Sequence, residues 1–169
     1  MKDDYHKTHF DEHRSKINSI AVIHELIYKS KNLTQINLKN YINEISFNLQ
    51  EVYQSDARRI EISTNIEEVV IELDIALPLG LIVNEVITNS FKHAFKGKTP
   101  GKISISLKKI FDKIQLQISD NGKSTILEDR HEGSIGMDIL EGPVEQINAK
   151  HSFKNTEGTI FLLEFSSII

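Results

Sequence analysis

The sequence predicts an α+β fold, a two-layer sandwich of a mixed, mainly antiparallel sheet with helices on one face, preceded by one isolated helix. Three observations predict it. Lys102–Ile110 (KISISLKKI) and Lys113–Ser119 (KIQLQIS) alternate apolar and polar residues around a tight Phe-Asp turn, the pattern of a hairpin with one buried face. Leu79–Phe95 (LGLIVNEVITNSFKHAF) instead sorts its residues by helical period. Finally, strand pairs and helices alternate in groups: helix, helix, two strands, helix, two strands, loop, helix, two strands.

The bulk numbers agree with a single folded unit. A chain of 169 residues can bury a real core and still carry a short appendage. With 39% hydrophobic and 26% charged residues it has the composition of a globular domain rather than a disordered chain. The net charge of −4 offers no electrostatic basis for binding nucleic acid. No apolar run approaches the ~18 residues that span a bilayer, so no membrane segment is expected. The start, MKDDYHKTHFDEH, is polar and acidic, unlike a secretory signal or transit peptide. Cysteine is absent, which removes disulfides, thiolate nucleophiles and thiolate metal sites. A cytoplasmic location fits these features.

His6 and His9 lie among charges in a terminal segment. From Asp11, the residues Ile17, Ile20, Ala21, Ile23, His24, Ile27 and Tyr28 recur at helical spacing until SKNLTQ breaks the pattern. This first helix has no sheet neighbour, and its apolar stripe needs a partner such as a second chain. Asn37 is an N-cap for a helix from Leu38 to about Tyr53, with Leu38, Tyr41, Ile42, Ile45, Leu49 and Val52 on its apolar face. Ile60–Ser63 and Val69–Leu73 read as strands joined by a turn at Thr64–Glu67. Asp74 and Pro78 mark the entry to the next helix. After it comes a breaker cluster, KGKTPGK, and then the hairpin. A polar, aperiodic loop, KSTILEDRHEG, leads to a helix opened by Ser134-Ile135-Gly136-Met137 and running to about Asn148. Two strands, His151–Lys154 and Thr159–Phe165, close the chain through Asn155-Thr156-Glu157-Gly158.

Chemistry concentrates at three places. On the wheel, Leu79, Ile82, Val83, Val86, Ile87, Ser90, Phe91 and Ala94 form the apolar half of the helix, and Asn84, Glu85, Thr88, Asn89, Lys92 and His93 the polar outer half. Glu85, Asn89, Lys92 and His93 stand almost in line. One amide oxygen from Asn89 could serve Mg²⁺, which takes few protein oxygens and completes its shell with phosphates and water. Glu85, one turn back, could orient or deprotonate a nucleophile. A solvated polar face would look the same. The second place is Asp120-Asn121-Gly122 at a strand end: the carboxylate can accept from an exocyclic amine such as adenine's, and the glycine allows close approach, although the tripeptide is equally a turn signal. The third is Ser134-x-Gly136, either a plain N-cap or an anion site at a helix start. Zinc spacing, a nucleophile elbow, a Walker A sequence and a dinucleotide fingerprint are all missing.

Together and in this order, these pieces resemble the ATP-binding catalytic domain of sensor histidine kinases, of the GHKL superfamily and Bergerat fold, closest to the HWE-related kinases. The N box is similar to Pro78–Phe95 (PLGLIVNEVITNSFKHAF), the adenine-binding segment to Ile118–Gly122 (ISDNG), the second glycine box to Ser134–Met137, and the closing strand to Glu157–Phe165 (EGTIFLLEF). RSKINSIAVIHELIYKSKNL resembles the second helix of the family's dimerisation and phosphotransfer hairpin. The resemblance implies two parts: residues 1–32, a partial dimerisation and phosphotransfer helix, and residues 33–169, the catalytic domain.

The resemblance further implies ATP and Mg²⁺ as cofactors, transfer of the γ-phosphoryl group to a histidine, and a response regulator as the next acceptor. Asn89 would hold Mg²⁺, and Glu85 would polarise the attacking imidazole. Lys92, His93, Ser134 and Gly136 would lie at the phosphates. Asp120 would bind the adenine amine, Gly122 would give the base room, and Thr159 would support the adenine pocket through Asp120 or a water. Residues 123–133 would form the ATP lid. A homodimer through the first helix is implied for the full-length protein.

Two departures stand out. The family's D-x-G-x-G carries Ser124 at its second glycine. The chain also reads as starting at the second hairpin helix, so the acceptor histidine is expected to lie on a helix it does not contain. Glu12-His13-Arg14-Ser15-Lys16 echoes the acceptor's H-R-x-K pattern, but IHELIY follows it at once, and His24 reads as a structural helix residue. Two alternatives stand beside this reading: a degenerate ATP-binding regulator without its own acceptor, and a serine kinase of the anti-sigma type on the same fold.

Overall fold

Alternation in the two central strands decides which side of the sheet is the core. In the computed structural model, β4 (Gly101–Ile110) and β5 (Lys113–Asp120) pair antiparallel from Ile103↔Asp120 to Ile110↔Lys113. Ile103, Ile105, Leu107, Ile114, Leu116 and Ile118 all bury one face, while Lys108, Gln115 and Gln117 face solvent on the other. The turn between them puts Phe111 at φ 56 and leaves its ring exposed. The structure describes residues 34–53, 59–95, 100–123 and 135–166 together with Ile17, Ala21 and Glu25; for 135–139 only the backbone is described. Ile17, Ala21 and Glu25 are helical and exposed, and the other residues of the first helix lie outside the described residues, as do His13 and His24.

The remaining described elements are β1 (Gln35–Asn37), α1 (Leu38–Tyr53), β2 (Ile60–Ile66), β3 (Val70–Glu72), α2 (Leu73–Asn89), a π-wound segment Ser90–Ala94, α3 (Ile135–Gln146), β6 (Lys150–Asn155) and β7 (Thr159–Ser166). Five strands form one sheet in the order β2-β4-β5-β7-β6. Only β2 and β4 run parallel; the other neighbours are antiparallel. The helices pack on one face, α2 against both α1 and α3. The mixed, mainly antiparallel two-layer architecture expected from the sequence is what forms.

Local chemistry explains the boundaries. Asn37 Oδ1 accepts from the Asn40 N–H at 3.2 Å, the expected N-cap of α1. Leu38, Tyr41, Ile42, Ile45 and Leu49 are then buried together with the sheet's inner face. The Tyr41 phenol abuts Gly80, where a Cβ would collide with its hydroxyl, so α1 and α2 approach closely at that glycine. Burial pushes the Tyr41 hydroxyl well above its usual ionisation range.

Two expectations need correction. The strands around residues 60–72 do not form a hairpin. β2 runs parallel to β4 in register Ile60↔Gly101, and β3 leaves the main sheet to pair with β1 as a separate two-stranded ribbon. β1 has three residues, too short for alternation to register in sequence, and a parallel partner forty residues away leaves no local signal. The long helix also differs. It starts at Leu73, where a strand end was expected, and its α-winding stops at Asn89, giving way to π-winding over Ser90–Ala94.

Candidate functional site

Asp120 ends β5 on the buried side of the sheet and is 8% exposed. Three donors hold its carboxylate. The Ser90 hydroxyl donates to Oδ2 at 2.9 Å. The backbone N–H groups of Gly122 and Thr159 donate to Oδ1 at 3.0 and 3.4 Å. They come from the end of the long helix, from the turn after β5 and from the start of β7. An ionised carboxylate has about four lone-pair sites. The three donors found among the described residues orient it and occupy three of those sites.

The backbone around it is close-packed. A Cβ on Gly158 would strike the Asp120 carbonyl oxygen, and one on Gly122 would strike the Ala94 carbonyl. The space at Gly122 is thus taken by the π-wound segment, whose Ala94 oxygen also accepts from the Lys123 N–H at 2.8 Å. The glycine was expected to make room for a base; in the structure its missing side chain admits Ala94. Asn121 turns outward and extends the ladder, accepting from the Lys102 N–H at 2.8 Å and donating its own N–H to Lys102 O at 3.1 Å. Each residue of Asp-Asn-Gly therefore has its own task at the strand end.

On α2 the polar residues are not an outer face. Asn84, Glu85 and Thr88 are buried, at 2%, 7% and 3% exposure, on a helix that packs against both α1 and α3. Asn89 and Lys92 are half-buried and His93 is exposed. Glu85 and Asn89 keep the expected one-turn separation, about 6 Å along the axis. Beyond Asn89 the i→i+5 winding rotates Lys92 and His93 off the straight stripe that the α-wheel predicts. The same change of winding begins at Ser90, counted as apolar on the wheel, whose hydroxyl reaches Asp120.

The structure thus brings Ser90, Asp120, Gly122 and Thr159 together, with Asn89 adjacent in sequence to Ser90. Gly136 is the second residue of α3, described by its backbone only. Ser134, Ser124 and the expected lid apart from Lys123 lie outside the described residues. Ser90 and Gly158 are the site residues that sequence reasoning missed. Their signals were faint: a serine among apolar positions, and a glycine that reads first as a turn.

The fold is a two-layer domain whose strand-end Asp is gripped from the end of a long central helix. A family model described as histidine kinase matches residues 1–53. The histidine kinase domain of the blue-light-activated kinase from Erythrobacter litoralis superposes with a TM-score of 0.82 at 19% identity, covering 92% of this chain and 75% of that one. The catalytic domain of histidine kinase ThkA matches with a TM-score of 0.64 at 17% identity, over 79% of this chain and 96% of that one. ThkA in complex with the response regulator TrrA matches at 0.61 and 18% identity, over 87% of this chain and 46% of that one. At these identities the likeness establishes the fold. Among curated proteins, the serine-protein kinase RsbW of Listeria innocua is 48% identical over 52 residues, 31% of this chain. The match spans about a third (33%) of that relative's length. The family match covers residues 1–53, and the fold that follows is shared with histidine kinase catalytic domains.

Proposed function

We propose that this chain binds Mg-ATP and directs the γ-phosphoryl group to a histidine imidazole, from which a response regulator receives it. The observation that carries the reading is the Asp120 carboxylate, held by Ser90, Gly122 and Thr159, three described donors against about four acceptor sites. An exocyclic amine of adenine suits that remaining acceptor position.

The donor set fits Mg²⁺. Asn89 offers one hard amide oxygen at the last α-turn before the Asp120 cradle. That is the pattern of an ion held mostly by phosphates and water. Bound there, Mg²⁺ supplies charge neutralisation at the phosphates. Glu85, one turn before Asn89, orients and polarises the attacking imidazole. Lys92 and His93 approach the phosphates, and Gly136, the second residue of α3, offers a helix-start N–H to them. Such transfer depends on positioning and charge compensation rather than a covalent nucleophile, in keeping with a site built from amides, carboxylates and backbone donors.

Partners follow the same reading. The ThkA–TrrA complex supports a response regulator as partner. Ile17 is 64% exposed, and Ala21, four residues on, is exposed as well, which supports a dimer through the first helix. Among the described residues no helix is long and apolar enough to cross a membrane, and a cytoplasmic setting is proposed. The RsbW match favours a second reading, a serine kinase on the same fold. Labelled ATP supplied with a phosphoacceptor helix separates the two. The histidine reading predicts an acid-labile, alkali-stable product. An acid-stable phosphoester would transfer the assignment to serine.

A further inference from the structure

We infer that Ser90 is a positioning residue that sets the base preference of the nucleotide site by fixing Asp120. The inference rests on the nucleotide-binding reading above. Of the three donors on the carboxylate, two are main-chain N–H groups, and one of those is long at 3.4 Å. The Ser90 hydroxyl is the shortest at 2.9 Å, the one side-chain donor described on Asp120, and itself buried. It also acts on the opposite oxygen. The two N–H groups hold Oδ1 and leave the carboxylate free to swing about it, whereas a donor on Oδ2 closes that rotation.

Its placement depends on the backbone. Ser90 opens the π-wound segment, and its N–H reaches back to both Val86 O and Ile87 O. The same segment presents Ala94 to Gly122 and Lys123. The segment therefore contacts the Asp120 turn twice, through the Ser90 side chain and the Ala94 carbonyl. π-bulges within helices recur at functional sites.

The consequence is chemical selectivity. A carboxylate with a fixed plane rewards a ligand amine and opposes a ligand carbonyl at the same point, since two acceptors then meet without a proton. ATP carries an amine on its base where inosine triphosphate carries a carbonyl; their ribose, phosphates and Mg²⁺ are the same. A residue that works by holding Asp120 affects the ratio of the two affinities. A residue needed only for packing affects both alike.

The test is calorimetric titration of the full chain with Mg-ATP and with Mg-inosine triphosphate. The wild-type chain should favour ATP. Ser90→Ala should weaken ATP by about ten-fold, the worth of one hydrogen bond to a charged group, while changing the inosine nucleotide less than about two-fold. Ser90→Cys, similar in shape but a poor donor, should move the ratio the same way and serves if the alanine variant does not fold. In the Ser90→Ala/Asp120→Asn double variant, the ratio should fall no further than in Asp120→Asn alone, because both changes act on one contact. An unchanged ratio in Ser90→Ala and Ser90→Cys, with ATP still bound, overturns the role of Ser90 and leaves nucleotide binding standing. Wild-type chain that binds neither nucleotide overturns both.

Discussion

Gly158 shows how much of the site is built by backbone proximity. The Asp120 carbonyl occupies the position a side chain would take there, so Gly158→Ala must displace either the strand end or the final turn. Overpacking of this kind costs about 1–3 kcal/mol. The variant should melt earlier than wild type, and, if it remains folded, bind ATP more weakly because Asp120 moves with its backbone. A thermal melt followed by titration reads both. Asn89 makes a different prediction. Asn89→Ala should remove the part of ATP affinity that depends on Mg²⁺ and leave Mg-free binding unchanged; titrations with and without Mg²⁺ check it, and unaltered Mg²⁺ dependence would take Asn89 out of the site. The two residues also differ in how visible they are in sequence. Asn89 and Asp120 are readable as candidates, an amide one turn from a carboxylate on a helix and a carboxylate at a strand end, although a solvated face and a turn give the same pattern. Ser90 and Gly158 are not, since a small residue on a buried stripe and a glycine in a turn have ordinary explanations.

At the scale of elements, legibility follows range. The N-cap of α1 is a local bond, Asn37 to Asn40, and was readable from one residue type before an apolar period. Asn37→Ala should cost about 1 kcal/mol, seen as a lower urea midpoint with an unchanged slope. The β4–β5 hairpin was readable because its alternation and its turn are contiguous. The β1–β3 ribbon and the parallel β2–β4 pairing were not, for their partners lie far apart in sequence. Burial of Asn84, Glu85 and Thr88 was missed for a related reason. A helical wheel assumes one dry face and one wet face, and α2 packs against both α1 and α3. The five-residue π segment has no period long enough to read, yet it rotates Lys92 and His93 and aims Ser90.

At the scale of the whole molecule, Tyr41 against Gly80 is a close joint between α1 and α2. Burial favours the neutral phenol, so its ionisation lies above the ordinary value of 10.0 in the folded chain and at that value in the unfolded one. The unfolded chain then holds fewer protons above pH ~10, and stability falls as pH rises. Below that pH the contribution is complete. Tyr41→Phe should flatten the alkaline decline in urea midpoint, whatever it costs at neutral pH. The central claim concerns the C-terminal end of α2, where Ser90, next in sequence to Asn89, meets Asp120. Its most direct measurement is calorimetric titration of the full chain with ATP in the presence and absence of Mg²⁺. The account predicts a saturable isotherm with one nucleotide per chain, tighter with Mg²⁺ and greatly weakened by Asp120→Asn. Absence of binding at millimolar ATP, or binding indifferent to Asp120, would contradict it.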